Sequence, residues 1–430
     1  MTQHNRHFRS FFVIWGGQAV SLLGSQLVQF ALIWWLTETT QSATVLAMAS
    51  LVGLLPQVVL GPFAGVLVDR WKRRHVLFAA DSGVALATLL LGVLFWLDVT
   101  QIWHVFVILF VRSLAGSFHW PAMQASTTLM VPEEHLTRIQ GLNQTLNGGM
   151  NIVSAPLGAL LLAVLPMQGI IAIDVVSALF AIVPLFFIAI PQPQGQAREA
   201  TKGLPAFWRS FKGELGDGLR YVRGRRGLVM LIGLAVIVNL VLSPAFTLLP
   251  LLVSEHFQGG ALQLGWVNSA FGIGIVSGGL LLGAWGGFRR RMITSLFGLT
   301  LMGAATVVVG FTPDTLLWLA IAGMLVVGFS NSMTNGPVLA IVQSTVAPDM
   351  QGRVFTLLNS SVTLMTPVGL IIAGPIADWL GVQIWYVVGG FVTLVLAASG
   401  FLNPTLLSLD EAPAEAPVPT TPTATSRPSV

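Results

Sequence analysis

Long apolar runs alternate with short polar breaks through most of the chain. A helix needs about 20 apolar residues to cross about 30 Å of hydrocarbon. Windows of that kind fall near 10–36, 43–68, 76–97, 102–130, 138–165 and 168–190, then near 228–254, 261–286, 292–311, 315–345, 353–379 and 383–403. The pattern predicts an all-α membrane protein with twelve transmembrane helices in two groups of six. The first run, from Arg9 to about Leu36, is too long for a cleavable leader and is read as a helix that stays.

Four regions follow: a first six-helix unit over 1–190, a linker over 191–227, a second unit over 228–403 and a tail over 404–430. In the linker, Phe207, Phe211, Leu215, Leu219 and Val222 recur at helical spacing with basic residues between them, which predicts an amphipathic helix on the membrane surface. The tail is rich in Pro, Thr and Ala and is expected to be disordered. The two units repeat each other. Pro121 and Pro132 return as Pro337 and Pro348, and Ala155-Pro156-Leu157-Gly158 returns as Thr366-Pro367-Val368-Gly369. Arg112, by the same register, corresponds to Gly328, so its charge is confined to one unit.

Composition sharpens the class. The chain is 54% hydrophobic and 9% charged, against roughly a quarter charged in soluble domains. In such a chain the net charge of +4 reports topology and gives no reason to expect nucleic acid. With both termini cytoplasmic, Arg112 is the one of 21 Lys and Arg residues that does not fall in an inner segment. The chain has no cysteine, its seven histidines lack metal-ligand spacing, and no nucleophile–base constellation or phosphate-cradling loop appears. Neither an enzyme nor an ATP-driven pump is expected, and no cofactor or metal.

Four groups of residues stand out. The turn Gly65-Val66-Leu67-Val68-Asp69-Arg70-Trp71-Lys72-Arg73-Arg74 joins the second and third segments. Gly65 would permit close helix approach, and Asp69 would pair with Arg73 or with a helix terminus of the other unit, latching the inner side; a purely topogenic basic loop is the other reading. Arg112 lies inside the fourth segment, with Gly116 and His119 on the same face. A charge at that depth is either functional or a structural residue neutralised by a buried carboxylate. Asn143, Asn147 and Asn151 form a stripe before Ala155, Pro156 and Gly158 in the fifth segment, facing a wet cavity or packing helices. The membrane-depth carboxylates are Asp81, Asp174 and Asp378. Asp81 and Asp174 are candidates for proton binding, or else counter-charges for Arg112 or for a helix end.

The charged turn resembles the signature of the major facilitator superfamily, with Lys72 where that family usually has Gly. The resemblance implies two pseudo-symmetric six-helix bundles that rock around a central site. Arg112-Ser113-Leu114-Ala115-Gly116 resembles the family's fourth-helix motif associated with proton coupling. Ala155-Pro156-Leu157-Gly158 resembles its antiporter motif, with Ala155 replacing a Gly. Ile14-Trp15-Gly16-Gly17-Gln18-Ala19-Val20-Ser21-Leu22, Phe118-His119-Trp120-Pro121-Ala122, Val131-Pro132-Glu133-Glu134 and Ile171-Ala172-Ile173-Asp174-Val175 are similar to the macrolide-efflux branch.

These resemblances imply export of amphipathic drugs, macrolides first, by exchange for protons across a bacterial cytoplasmic membrane. The expected proton-coupling residues are Arg112, Asp174 and Asp81, and the expected inner gate is Gly65, Asp69, Arg70, Arg73 and Arg74. Gln18, Ser25, Gln29, His119, Met123, Asn147, Asn239, Asn331 and Asn335 are expected to line the substrate cavity. A monomer in contact with lipid is expected. A siderophore or lipid transporter of the same fold is the alternative, and a membrane sensor without transport the remote one.

Overall fold

The computed structural model describes residues 3–191, 213 and 216–409; the side chains of Asp69, Arg70 and Asn151 lie outside the described residues, as do Phe207, Phe211 and Leu215 of the expected surface helix. Among the described residues, twelve helices are long and apolar enough to cross a membrane. They are α1 Gln3–Thr40, α2 Ala43–Arg70, α3 Arg73–Trp96, α4 Ile102–Met130, α5 Glu133–Val164 and α6 Met167–Phe187 in the first half. The second half holds α7 Arg226–Thr247, α8 Ala261–Trp285, α9 Arg291–Phe311, α10 Leu317–Thr345, α11 Pro348–Leu380 and α12 Gln383–Phe401. An even number of crossings puts residues 3 and 409 at one end of the bundle, called here the termini end.

Local chemistry explains most boundaries. Ser42 caps α2, its hydroxyl accepting the Val45 N–H, and Gly381, at φ +87°, stops α11. Pro121 and Pro337 lie inside α4 and α10, and Pro156 and Pro367 inside α5 and α11, so the sequence repeat is also a structural one. The turn after α8 departs from the turn after α2. It needs φ +79° at Gly286 and +83° at Gly287, and Gly287 stands where the first half has Asp69.

Two expectations need correction. The seventh apolar run, expected to continue to 254, breaks at Leu248: a short helix over Leu249–Leu251, with Pro250, passes into a π-helical turn over Leu252–His256. The tail expected from 404 starts ordered. Asn403 caps a helix over Pro404–Leu407, and Leu406 and Leu409 are buried against the second half, because apolar leucines precede the Pro- and Thr-rich stretch. In the linker, residues 216–223 are helical, Val222 is buried in that same core, and the Tyr221 hydroxyl accepts the Ala347 N–H at 3.0 Å.

The distribution of apolar cores fixes the shape. At the far end, opposite the termini, a single core joins the halves: Leu27, Ala31 and Ala43 of the first share it with Leu248, Leu252 and Ala373 of the second. At the termini end the cores are separate. One is built around Phe11, Leu77 and Met130, the other around Leu231, Leu296 and Ile341. Direct packing between halves runs through α2 with α11 and α5 with α8. The cleft between the halves therefore opens on the termini side.

Candidate functional site

A cavity of about 370 Å³ lies on the cleft side of the first half, among α1, α3, α4, α5 and α6. That size lies within the usual range of small-molecule sites. Of the residues expected from sequence, Gln18, Ser25, Asp81, Arg112, His119, Met123, Asn147 and Asp174 all line it, together with Trp15, Gln124 and Asn143. Gln29, Asn239, Asn331 and Asn335 do not. Asn239 instead accepts the Thr366 hydroxyl at 3.1 Å, and the Asn335 amide donates to the Asn331 carbonyl at 3.0 Å.

Two polar clusters are built into the wall. In the deeper one, an Arg112 Nη1 N–H donates to Asp174 Oδ2 at 2.8 Å and to Thr88 Oγ1 at 3.0 Å, while Nη2 donates to the Ser25 carbonyl at 2.9 Å. Ser25 Oγ donates to the other Asp174 oxygen at 3.0 Å. The ion pair is nearly dry, with side-chain exposures of 10% and 3%. Gly24 eases it: a Cβ there would stand 2.1 Å from Ser177 Oγ and 3.1 Å from the Asp174 Cα, so a larger residue would turn the serine aside and press α6 away from α1.

In the wetter cluster, Gln18 Nε2 donates to Asp81 Oδ2 at 2.7 Å, and His119 Nε2 lies 3.0 Å from Gln18 Oε1 and 3.3 Å from Asp81 Oδ1. Because that one ring nitrogen faces two acceptors, it carries the hydrogen. The carboxylate, amide and imidazole close a ring of three partners from α3, α1 and α4. The His119 side chain is 26% exposed, towards the cavity. Trp15 Nε1 donates to Asn143 Oδ1 at 2.7 Å, tying α1 to α5 along the same wall.

The residues of the expected antiporter motif sit where the halves meet. A Cβ on Gly265 of α8 would lie 3.0 Å from Ala159 Cβ and 3.1 Å from the Pro156 Cα, with the Ala155 carbonyl at 3.4 Å; one on Gly158 would strike Phe30 at 2.9 Å. Small residues bring α5, α8 and α1 together there. Of the expected gate, Gly65, Asp69 and Arg70 give backbone positions only. Arg73 is buried in the first half. Arg74 donates through Nε to the Leu185 carbonyl and through Nη2 to the Phe186 carbonyl at 2.6 Å, a cation on the C-terminal end of α6 in its own half. Among the described residues no group of three His, Cys, Asp or Glu has metal-binding geometry.

A family model described as Major Facilitator Superfamily matches residues 14–369 and 243–429. The chain belongs to the major facilitator superfamily. As a member of that superfamily it is a membrane transporter and not an enzyme. Among relatives of known name, macrolide efflux protein A of Streptococcus pyogenes is 35% identical over 92% of this chain and 96% of its own length. The protein of the same name from Enterococcus faecalis is 33% identical over 76% and 99%. The multidrug efflux pump Tap of Mycolicibacterium fortuitum is 26% identical over 90% and 94%. Among solved structures, a bacterial homologue of the human lysosomal transporter Spinster has the same superfamily fold, with a TM-score of 0.68 at 12% identity over 97% of this chain and all of that one.

Apart from the Arg112–Asp174 pair, which is one of the readings open in the sequence, the partnerships within the site are not visible there. Gln18 and Ser25, expected to line the cavity, do so and are also the partners that hold Asp81 and Asp174. Thr88, fully buried beside Arg112, carries no signal at all, since a threonine in an apolar helix is ordinary.

Proposed function

We propose that the protein exports amphipathic drugs, macrolides foremost, by proton antiport with alternating access, in a bacterial cytoplasmic membrane with both termini in the cytoplasm. The observation that carries this reading is the Asp81–Gln18–His119 ring on the wall of a membrane-deep cavity that opens at the termini end. The named relatives support the substrate class, and the concentration of basic residues at the termini end supports the orientation.

In this reading Asp81 is the group that takes up and releases the proton. It is the carboxylate in contact with the cavity's histidine, and His119 and Gln18 give its charged form two hydrogen-bond donors. Protonation of Asp81 weakens both bonds and frees the Gln18 amide and the His119 ring to turn toward a ligand. Arg112 and Asp174 supply a fixed, mutually neutralised pair behind them, which gives the cavity an oriented dipole. A proton shifts the balance between inward- and outward-open states only as far as it binds them differently. The apolar lining from Leu22, Val84 and Leu146 suits a large amphipathic ligand, and the amides of Asn143, Asn147 and Gln124 supply its few polar contacts.

Inverted vesicles with an acidic lumen test the reading directly. Labelled macrolide is expected to accumulate, and accumulation is expected to vanish when an ionophore collapses the gradient and in Asp81→Asn. Folded wild type that accumulates no macrolide would overturn the substrate assignment, and Asp81→Asn with wild-type accumulation would overturn the assignment of the proton site.

A further inference from the structure

Asp378 is an exposed carboxylate at the far end of the bundle, with no part in the cavity. It lies in the last turn of α11, in the second half, and its side chain reaches the first turn of α2, in the first half. Its Oδ1 accepts the Ala43 N–H at 2.5 Å, and its Oδ2 accepts the Thr44 N–H at 3.1 Å and the Ser42 hydroxyl at 3.2 Å. Ser42 is the N-cap of α2, but its own oxygen is spent on Val45. The first N–H groups of a helix have no partner within that helix, and they carry the positive end of its dipole. Here a carboxylate from the opposite half supplies the missing acceptors.

The approach is prepared one turn earlier on the same face of α11. A Cβ on Gly374 would lie 2.9 Å from the Thr44 Cα and 3.2 Å from Ala47 Cβ, so this position must be glycine for the carboxylate to reach the α2 backbone. Ala373 and Ala377, beside it, are buried in the core that the halves share. Glu255, on the π-helical turn over Leu252–His256, lies near enough to Asp378 for the two charges to repel. Burial, and then the neighbouring Asp378, raise its carboxyl above the ordinary range, as expected beside a second negative charge.

We infer that Asp378 is the residue that holds the far-end gate shut, by capping α2 of one half from α11 of the other. The bond exists only while the halves are together. When they part at the far end, the α2 N–H groups and the carboxylate must each be left to water. Asp378 is therefore a positioning residue of the transport cycle: it sets the fraction of molecules closed on that side without touching substrate. The inference rests on the proposed alternating access, and it does not depend on which drug or ion is carried.

The protein has no cysteine, so two can be introduced for spin labels across the far end, at the exposed Thr39 in the first half and the exposed Thr315 in the second. In lipid nanodiscs, Asp378→Asn and Asp378→Ala are expected to raise the ratio of long to short label distances about tenfold, the scale of losing one charged helix cap. Asp378→Glu is expected to fall between them and wild type. The decisive variant adds Ser42→Asp to Asp378→Ala. It caps α2 from within its own half, so it restores thermal stability while leaving the far end open. Full return to the wild-type distance ratio in that double variant would reduce Asp378 to a local helix cap and overturn the inference. So would a wild type that samples both distances alongside an Asp378→Ala that matches it. A wild type confined to one distance under every condition would instead count against alternating access.

Discussion

Removing the charge of Asp174 while keeping its shape, as in Asp174→Asn, should destabilise the first half severely, and the size of the effect follows from the geometry. The pair stands at 2.8 Å with both side chains nearly dry. Two unit charges at that distance attract by about 6 kcal/mol at an effective dielectric constant of about 20. Most of this offsets the cost of desolvation, but stranding a buried charge by deleting its partner costs about 3–5 kcal/mol. Arg112 would keep the Ser25 carbonyl and the Thr88 hydroxyl, neither of which carries charge, so the lower part of that range, about 3 kcal/mol, is expected. Arg112→Gln should cost a similar amount, because it strands Asp174. The double variant Arg112→Gln/Asp174→Asn strands nothing and should be less damaged than either single one. The assay is a double-mutant cycle by reversible denaturant unfolding in mixed micelles. A coupling energy above about 2 kcal/mol is expected, well beyond the roughly 0.6 kcal/mol typical of interhelical hydrogen bonds. Additive losses would refute the reasoning, and would mean that water or another group already neutralises one partner.

Three further outcomes follow from the same structure. Gly265→Val places a side chain where Ala159, Pro156 and the Ala155 carbonyl already stand, so it should loosen α5 from α8, lower thermal stability by about 1–3 kcal/mol and increase labelling of far-end cysteines. Arg74→Gln should remove two bonds to the last carbonyls of α6 and speed hydrogen exchange at the C-terminal end of that helix, with far-end label distances unchanged. Glu255 has a raised carboxyl in the folded protein, so its proton is held more tightly there than in the unfolded chain. Its contribution to stability is then complete below the ordinary value of 4.5 and is lost as pH rises through the raised value. Glu255→Gln should flatten that decline and leave the variant more stable than wild type at neutral pH, which thermal unfolding across pH measures.

The architecture is legible in the sequence because hydrocarbon imposes a length and a composition on each crossing. The α4 window from Ile102 to Met130 matches the helix, and the Pro121–Pro337 repeat already pairs the halves. What escapes a sequence reading is local. The run through Leu248 stays apolar across the break as far as Val253, and hydropathy cannot tell an α-helix from the start of a π-helical turn. Within the site, Arg112 and Asp81 stand out as charges in an apolar setting, and Asp174 does too. Beyond the Arg112–Asp174 pair, their partners do not. That Gln18 meets Asp81 depends on how α1 rotates against α3, and no spacing within one segment carries this information. Asn331 and Asn335 look as promising on paper as Asn143 and Asn147, yet only the latter pair faces the cavity.

The uneven distribution of the apolar cores has a thermal consequence. If the halves separate at the far end, the surface they uncover is mainly hydrocarbon, from Ala43 and Leu27 on one side to Ala373 and Leu252 on the other. Wetting such a surface raises heat capacity. The conformational equilibrium of the resting protein should therefore bend with temperature and not follow a straight van't Hoff line, with the closed far end least favoured, relative to its maximum, in the cold as well as in the heat. A transporter built this way would carry a thermometer in its gate, set by how many methyl groups each cycle must expose to water.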